Sequence, residues 1–281
     1  MRTETVGTLL AACGALLYGI EPVIINANSS SPLSFAMFST MFASFMLWPV
    51  ALAGPSAEEI RSHPEHMKSA FFVGFFGTAL AYIAYSYGAR MSTAINAALI
   101  TRSEVLFSFL LSWVLLRERI TARLIICSAA ILAGLASVIT QGRGIEPRVG
   151  DLLLLLVPLF WQSAHVIAKR MPYSAITIAT LRNSYGFLML LPVALLRGVD
   201  FSYLSIAEGA VIALGQVIWY ASIKRINLSK ATAIITPAPI VAIIAGLLLG
   251  QEFTIYHAFG FLLISVGTMG AVKVESELRT G

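Results

Sequence analysis

Two apolar stretches of this chain match each other without a gap. At a constant offset of 134, residues 97–118 run onto residues 231–252, so that Ala97 falls on Ala231, Trp113 on Leu247 and Glu118 on Glu252. The match continues upstream, with Tyr85 on Trp219 and Arg90 on Lys224. Near the start of each half the offset becomes 143, pairing Tyr18 with Trp161 and Pro49 with Pro192. A chain that repeats itself in this way has to fold as two related halves. Both stretches are long and apolar enough to cross a bilayer. The first nevertheless carries Arg102 and Glu104 well inside it.

Charged residues make up only 12% of the 281, and the AVILMFWYC set 58%. A soluble domain carries about twice that charge fraction, so the chain reads as an integral membrane protein. With roughly 20 apolar residues needed per span, ten spans are expected, near 5–26, 34–53, 69–88, 93–116, 121–140, 150–169, 174–196, 203–224, 229–249 and 255–274. Short connections with turn formers leave no room for a soluble domain, and residues 55–68 read as one loop or a short interfacial helix. The net charge of +5 is therefore no sign of nucleic acid; its distribution sets topology. Lys and Arg near the span ends split 13 to 4 between the two sets of loops. The richer side is cytoplasmic by the positive-inside rule, which places both termini there in a multi-pass protein of the cytoplasmic (inner) membrane. Cys13 and Cys127 both lie in apolar segments and imply no disulfide framework.

Each half holds five spans, an odd number, so the second half enters the membrane from the opposite side. The expected fold is all-α, ten transmembrane helices arranged as two inverted-topology five-helix repeats around a central cavity, with residues 1–141 forming the first repeat and 150–274 the second. Inverted repeats recur in secondary transporters, which hold substrate near the midplane between the halves.

The run Leu115-Leu-Arg-Glu118 followed by Gly134, and its echo Leu249-Gly-Gln-Glu252 followed by Gly260 and Gly267, resemble the EamA-type members of the drug/metabolite transporter superfamily over essentially the whole chain. Arg182 looks like the arginine such proteins often carry in the second helix of a half, and Pro239 like the proline thirteen residues before the glutamate. The first half departs from that pattern, with Val105 at the proline position and Ser39 at the arginine position. The resemblance implies a ten-helix 5+5 inverted repeat whose cavity is lined largely by helices 1, 3, 4, 6, 8 and 9. It also implies a carrier of small metabolites, often an exporter of amino acids.

Polar residues inside spans are the candidates for a site. A carboxylate near a helix centre costs roughly 2.5–3.5 kcal/mol on insertion scales, so Glu104 is expected to face a cavity or a partner. Thr93, Ala97, Thr101, Glu104, Ser108 and Ser112 follow spacings of three or four and form one small, polar stripe. That stripe suits a solute pathway, with Thr101, Glu104 and Ser108 as substrate contacts; it also suits close helix packing. Residues two apart on an α-helix face away from each other, so Arg102 is not expected to pair with Glu104. Its expected partner is Glu21 on helix 1, since both lie roughly 25 Å from the cytoplasmic end at 1.5 Å per residue. Such a pair reads either as an extracellular gate or as a fixed bridge.

Pro237 and Pro239 are expected to break helix 9 and free the carbonyls of Ala233 and Ile235; a plain kink is the simpler reading. Arg182 and Gln216 lie at matched depth in helices 7 and 8, where they face each other, serve structure, or meet a substrate carboxylate. His165 is a candidate for a proton route, or a histidine satisfied near an interface. Tyr82, Tyr85, Trp161 and Trp219 are candidates to stack on an amine-bearing ligand, against the general enrichment of such rings at interfaces. The chain shows no catalytic or metal-binding motif and no nucleotide-binding loop, so neither enzymatic activity nor a cofactor is expected. The expected partners are a small-molecule substrate, the lipid bilayer and protons as coupling ion. A sensor or scaffold that does not transport is the alternative, and an intramembrane enzyme a more remote one.

Overall fold

The computed structural model describes residues 2–104, 106–107, 110–111, 122–142, 148–226, 228–235 and 237–280. The expected site residue Ser108, together with Ser112 and Glu118 of the opening repeat, lies outside them. Among the described residues there is helix and no strand. The first half contains α1 (Arg2–Ala27), α2 (Pro32–Ala53), the short α3 (Ser56–Ser62), α4 (Met67–Gly74) and α5 (Ala81–Arg90). It continues with α6 (Ala94–Ile100) and α7 (Ala122–Thr140). The second half contains α8 (Val149–Lys169), α9 (Ala175–Arg197), α10 (Leu204–Ile223), α11 (Leu228–Ile235), α12 (Pro239–Leu248) and α13 (Ile255–Thr280).

Local sequence sets the helix starts. Ser31 caps α2 by accepting from the Ser34 N–H, with Pro32 at the first position, and Thr93 and Ser174 cap α6 and α9 in the same way. α4 and α5 are one rod joined by a π-helical stretch, Phe75–Leu80. The repeat mates Pro49 and Pro192 both sit inside helices, α2 and α9. Six helical stretches are long and apolar enough to cross a membrane: Thr3–Ala27, Pro32–Ala53, Pro64–Arg90, Val149–Lys169, Ala175–Arg197 and Leu204–Ile223.

Two expected spans are not continuous. In the first half, α6 passes into a 3₁₀ turn at Thr101–Ser103. In the second, α11 stops at Ile235 and α12 starts at Pro239. At the offset of 134 these are the same place in the repeat. The Ile235 carbonyl is not left free as the sequence suggested, because the tight turn brings the Ala238 N–H onto it at 2.9 Å.

Hydrogen bonds fix which helix ends meet. At one end, Asn26 donates to the Ala89 carbonyl, Arg90 to Ser29 and Ser30, Gln251 to Asn26, Ser92 to Asp151, and the Ser31 N–H to Asp200. At the other, Ser222 donates to the Gly7 carbonyl, Tyr173 to His63, and the Ser174 N–H to Glu59. α1 therefore begins at the end where α8 finishes, so the second half runs inverted relative to the first. α7 packs along α13, where Gly134 and Gly260 approach so closely that a Cβ on either would sit 2.8 Å from the other's carbonyl oxygen.

The distribution of side chains is that of a protein in lipid. Leu16, Ile126, Leu196 and Leu248 are exposed, while Glu21, Arg102, Glu104, Arg182 and Glu208 are buried. Water on the outside and a charged core would be the wrong way round; hydrocarbon on the outside makes it right.

Outside the membrane segments, Asp200 ties the connection between α9 and α10 to the start of α2. Its carboxylate accepts the Ser31 N–H at 2.8 and 3.0 Å, and its own N–H donates to the Ser34 hydroxyl at 3.2 Å. Partial burial pushes its pKa up, but the Ser31 and Ser34 hydrogen bonds outweigh this and hold it below the ordinary carboxylate value. A depressed folded-state pKa contributes stability above the unfolded value and loses it as pH falls through the folded one. Wild-type protein is thus expected to lose thermal stability on acidification below that range more steeply than D200N. Equal slopes for the two proteins in a pH series of melting curves would remove Asp200 from the account.

Candidate functional site

The polar core gathers where the two broken helices meet the straight ones. A cavity of about 20 Å³ is lined by Tyr18, Tyr82, Arg102, Glu104, Trp161, His165, Arg182, Gln216, Trp219 and Ile235. Eight of the expected site residues thus share one wall. That volume suffices for about one water.

The aromatic walls carry the pseudo-symmetry. Tyr18 of the first half meets Trp219 of the second edge to face, at 5.9 Å and 87°. Trp161 of the second half meets Tyr85 of the first at 5.5 Å and 89°. Tyr18 and Trp161 are repeat mates, and so are Tyr85 and Trp219, so the two-fold operation exchanges one contact for the other. Edge-to-face geometry is the favoured arrangement for such rings.

Arg102 corrects the reading of helix 4. It does not reach Glu21 as an ion pair; its Nη1 lies 3.3 Å from Glu104 Oε1. The reason is the 3₁₀ turn. Residues two apart are about 120° apart around a three-residue turn, against about 160° around an α-helix, and the long arginine side chain spans the difference. Apart from this contact, Arg102 Nε and Nη1 and Glu104 Oε1 are without hydrogen-bond partners. The Gln162 amide lies beside the Glu104 carboxylate. The Thr101 hydroxyl turns back onto the Ala97 and Ala98 carbonyls, at 2.9 and 3.2 Å, and away from the cavity.

Arg182 is wedged into the π-helical stretch. It donates to the Gly77 carbonyl, to the Thr78 hydroxyl at 3.1 Å and to the Tyr220 hydroxyl at 2.9 Å. The wide turn and the missing Cβ at Gly77 make this possible: a Cβ there would sit 3.0 Å from the guanidinium carbon and 2.7 Å from Ala164 Cβ. Arg182 and Gln216 share the cavity but not a hydrogen bond, since the Gln216 oxygen accepts from Asn183 at 2.8 Å. His165 lies in the core beside the Trp219 and Tyr220 rings, with Nδ1 unpartnered.

Glu21 receives the Tyr82 hydroxyl at 2.6 Å and lines a smaller adjoining cavity. A residue the sequence reading passed over, Glu208 of α10, is fully buried, with neither carboxylate oxygen partnered. The available signal was a carboxylate inside the span 203–224. A second, larger cavity of about 550 Å³ opens at the Asn26 end, with Asn96, Arg148, Glu252 and His257 in its wall. His257 Nδ1 accepts the Thr254 N–H at 3.0 Å, which leaves Nε2–H to donate to Asn96 Oδ1 at 2.9 Å.

Two inverted helical halves, apolar outside, with broken helices and a charged, aromatic-lined core between them, define a multi-pass membrane transporter. The chain belongs to the EamA-like transporter family, whose profile it matches twice, over residues 5–140 and 148–273. It is similar to the uncharacterized transporter YetK of Bacillus subtilis (strain 168), 24% identical over 213 residues covering 69% of this chain and 64% of that protein. The uncharacterized transporter YyaM of the same organism is 24% identical over 220 residues, covering 72% and 71%. An uncharacterized transporter of Methanothermobacter thermautotrophicus is 22% identical over 290 positions, covering 93% and 84%. A solved crystal structure superposes with a TM-score of 0.65 at 16% identity, covering 96% of this chain and 98% of the other; the likeness is one of fold.

Proposed function

We propose that the protein is a secondary carrier that exports an amino acid or a related amine-bearing organic solute across the cytoplasmic membrane by alternating access. Both termini would lie in the cytoplasm, so the large cavity would face outward, and protons would be the coupling ion. The observation that carries this reading is Arg182: a cation in the cavity wall held by neutral partners, with no carboxylate in ion-pair contact among the described residues. It suits a substrate carboxylate. Across the cavity, Glu104 and the Trp161 and Trp219 rings suit an ammonium group, by charge and by cation–π attraction.

Purified protein in sealed vesicles, loaded with a panel of labelled amino acids and amines with and without a pH gradient, is expected to release at least one of them faster than protein-free vesicles. Absence of flux for the whole panel under both conditions would overturn the carrier reading. Tight binding of a protein partner in that case would favour a sensor or scaffold.

A further inference from the structure

We infer that the large cavity at the Asn26 end is a second solute site, separate from the core, that binds a small zwitterion through Arg148 and Glu252. The inference goes beyond the carrier reading and rests on it only for the site's place on a transport path.

The cavity has a volume of about 550 Å³, within the range of small-molecule sites; the core cavity has about 20 Å³. Both halves build its wall, and the neutral polar groups there are taken up by one another. His257 accepts the Thr254 N–H on Nδ1 at 3.0 Å and donates from Nε2 to Asn96 Oδ1 at 2.9 Å. The Asn96 amide nitrogen faces Asp151 Oδ1 at 3.5 Å, which keeps its oxygen toward His257. Gln141 donates to the Val138 carbonyl at 2.7 Å and accepts the Thr254 hydroxyl at 2.5 Å. Gln251 donates to Asn26 at 2.8 Å.

What the wall still presents to a ligand is charge. Arg148 and Glu252 both line the cavity, and among the described residues neither side chain has a hydrogen bond or an ion pair. Helix ends set their positions. Arg148 is the N-cap of α8, where its carbonyl accepts the Asp151 and Leu152 N–H groups at 3.0 and 3.2 Å. Gly250, at a φ of 78°, closes α12 and brings the Gln251 N–H onto the Gly246 carbonyl at 2.8 Å. Thr254 then opens α13 by accepting the His257 and Ala258 N–H groups. Glu252 lies between these two anchors.

One cation and one anion in a wall of otherwise engaged groups match a solute that carries both charges. A lone amine would meet Arg148 as a like charge, and a lone acid would meet Glu252 in the same way; such clashes create specificity. An ammonium-bearing phospholipid headgroup has the same pair of charges. Among the described residues, however, Ile139 is the only aliphatic side chain in the wall. Acyl chains find no apolar bed there, so the occupant is a free solute.

The test is equilibrium dialysis of radiolabelled alanine and leucine against the full chain in nanodiscs of phosphatidylglycerol, which has no ammonium group. Wild type is expected to bind at least one of them saturably. R148Q and E252Q are each expected to weaken that binding about tenfold or more, since each removes a hydrogen bond between charged groups. Both side chains are exposed, so both variants should fold, and melting curves check this. Competition separates the two charges. The matching amine without the carboxylate (ethylamine or isoamylamine) is expected to compete far more weakly than the amino acid in wild type, and about equally in R148Q. The matching acid without the ammonium (propionate or isocaproate) is expected to do the same with E252Q. No saturable binding in wild type, unchanged binding in either variant, or binding lost in nanodiscs containing phosphatidylethanolamine would each overturn the proposal. A protein that moves no solute in vesicles would still show this binding, and a carrier working from its core alone would show flux without it, so the two readings fail separately.

Discussion

Replacing Arg102 by Met is expected to lower stability by about 3–5 kcal/mol, the scale seen when one member of a buried ion pair is removed and the other is left behind. Glu104 would then be buried with no cation in contact. Replacing both, as R102M/E104Q, is expected to recover most of the loss, because an apolar chain facing a neutral amide leaves no isolated charge. The cycle also tells the two candidate partners apart. R102M/E21Q is expected to stay as unstable as R102M, since Glu21 already holds the Tyr82 hydroxyl. Melting midpoints of the four proteins in one detergent settle the matter; rescue by E21Q in place of E104Q would overturn the assignment of the pair.

The second large effect is steric. A Cβ at Gly19 would lie 2.4 Å from the Ala238 carbonyl oxygen and 2.6 Å from Val241 Cβ, in the turn between α11 and α12. The oxygen is backbone and cannot rotate away. G19A is expected to be destabilising by about 1–3 kcal/mol or more, as overpacking generally is, and to push α1 off the break it covers. Gly215 is the control. Its Cβ would find nothing nearer than Leu17 Cβ at 3.9 Å, so G215A should be neutral or gain up to about 1 kcal/mol from helix propensity. Equal losses in the two variants would contradict this packing.

The sequence made the halves visible because their echo needs only identity at fixed spacing. The pairs Tyr18 with Trp161 and Tyr85 with Trp219 could be read off the chain; that they form two crossed contacts required coordinates. The break in helix 9 was legible from Pro237 and Pro239. Its counterpart at Thr101–Ser103 was not, since Ile-Thr-Arg-Ser-Glu contains neither proline nor glycine and nothing local announces a 3₁₀ turn. That one omission also misassigned Arg102, because the angle between residues two apart depends on which helix they are in. Glu208 was hidden for another reason. It is fully buried between helices, and no local period in the span marks that burial. The depth argument for Arg182 and Gln216 placed them at one level but could not say that Tyr220 and Asn183 would take their hydrogen bonds.

The near equality of the two crossed ring contacts has a consequence for direction. If the protein works by the alternating access proposed above, it is a seesaw of two interchangeable arms whose inward-tilted and outward-tilted forms are images of one another, and what the two-fold axis maps onto itself weighs the same in both. Tyr18 on Trp219 and Trp161 on Tyr85, at 5.9 and 5.5 Å, are such a balanced pair. In such a carrier they would set the level position and not tilt it, since an interaction shifts an equilibrium only by its difference between the two states. Any preference for one tilt would then come from residues whose mates are unlike them, among them Arg102 and Glu104, set against Thr236 and Ala238, and Arg182, set against Ser39.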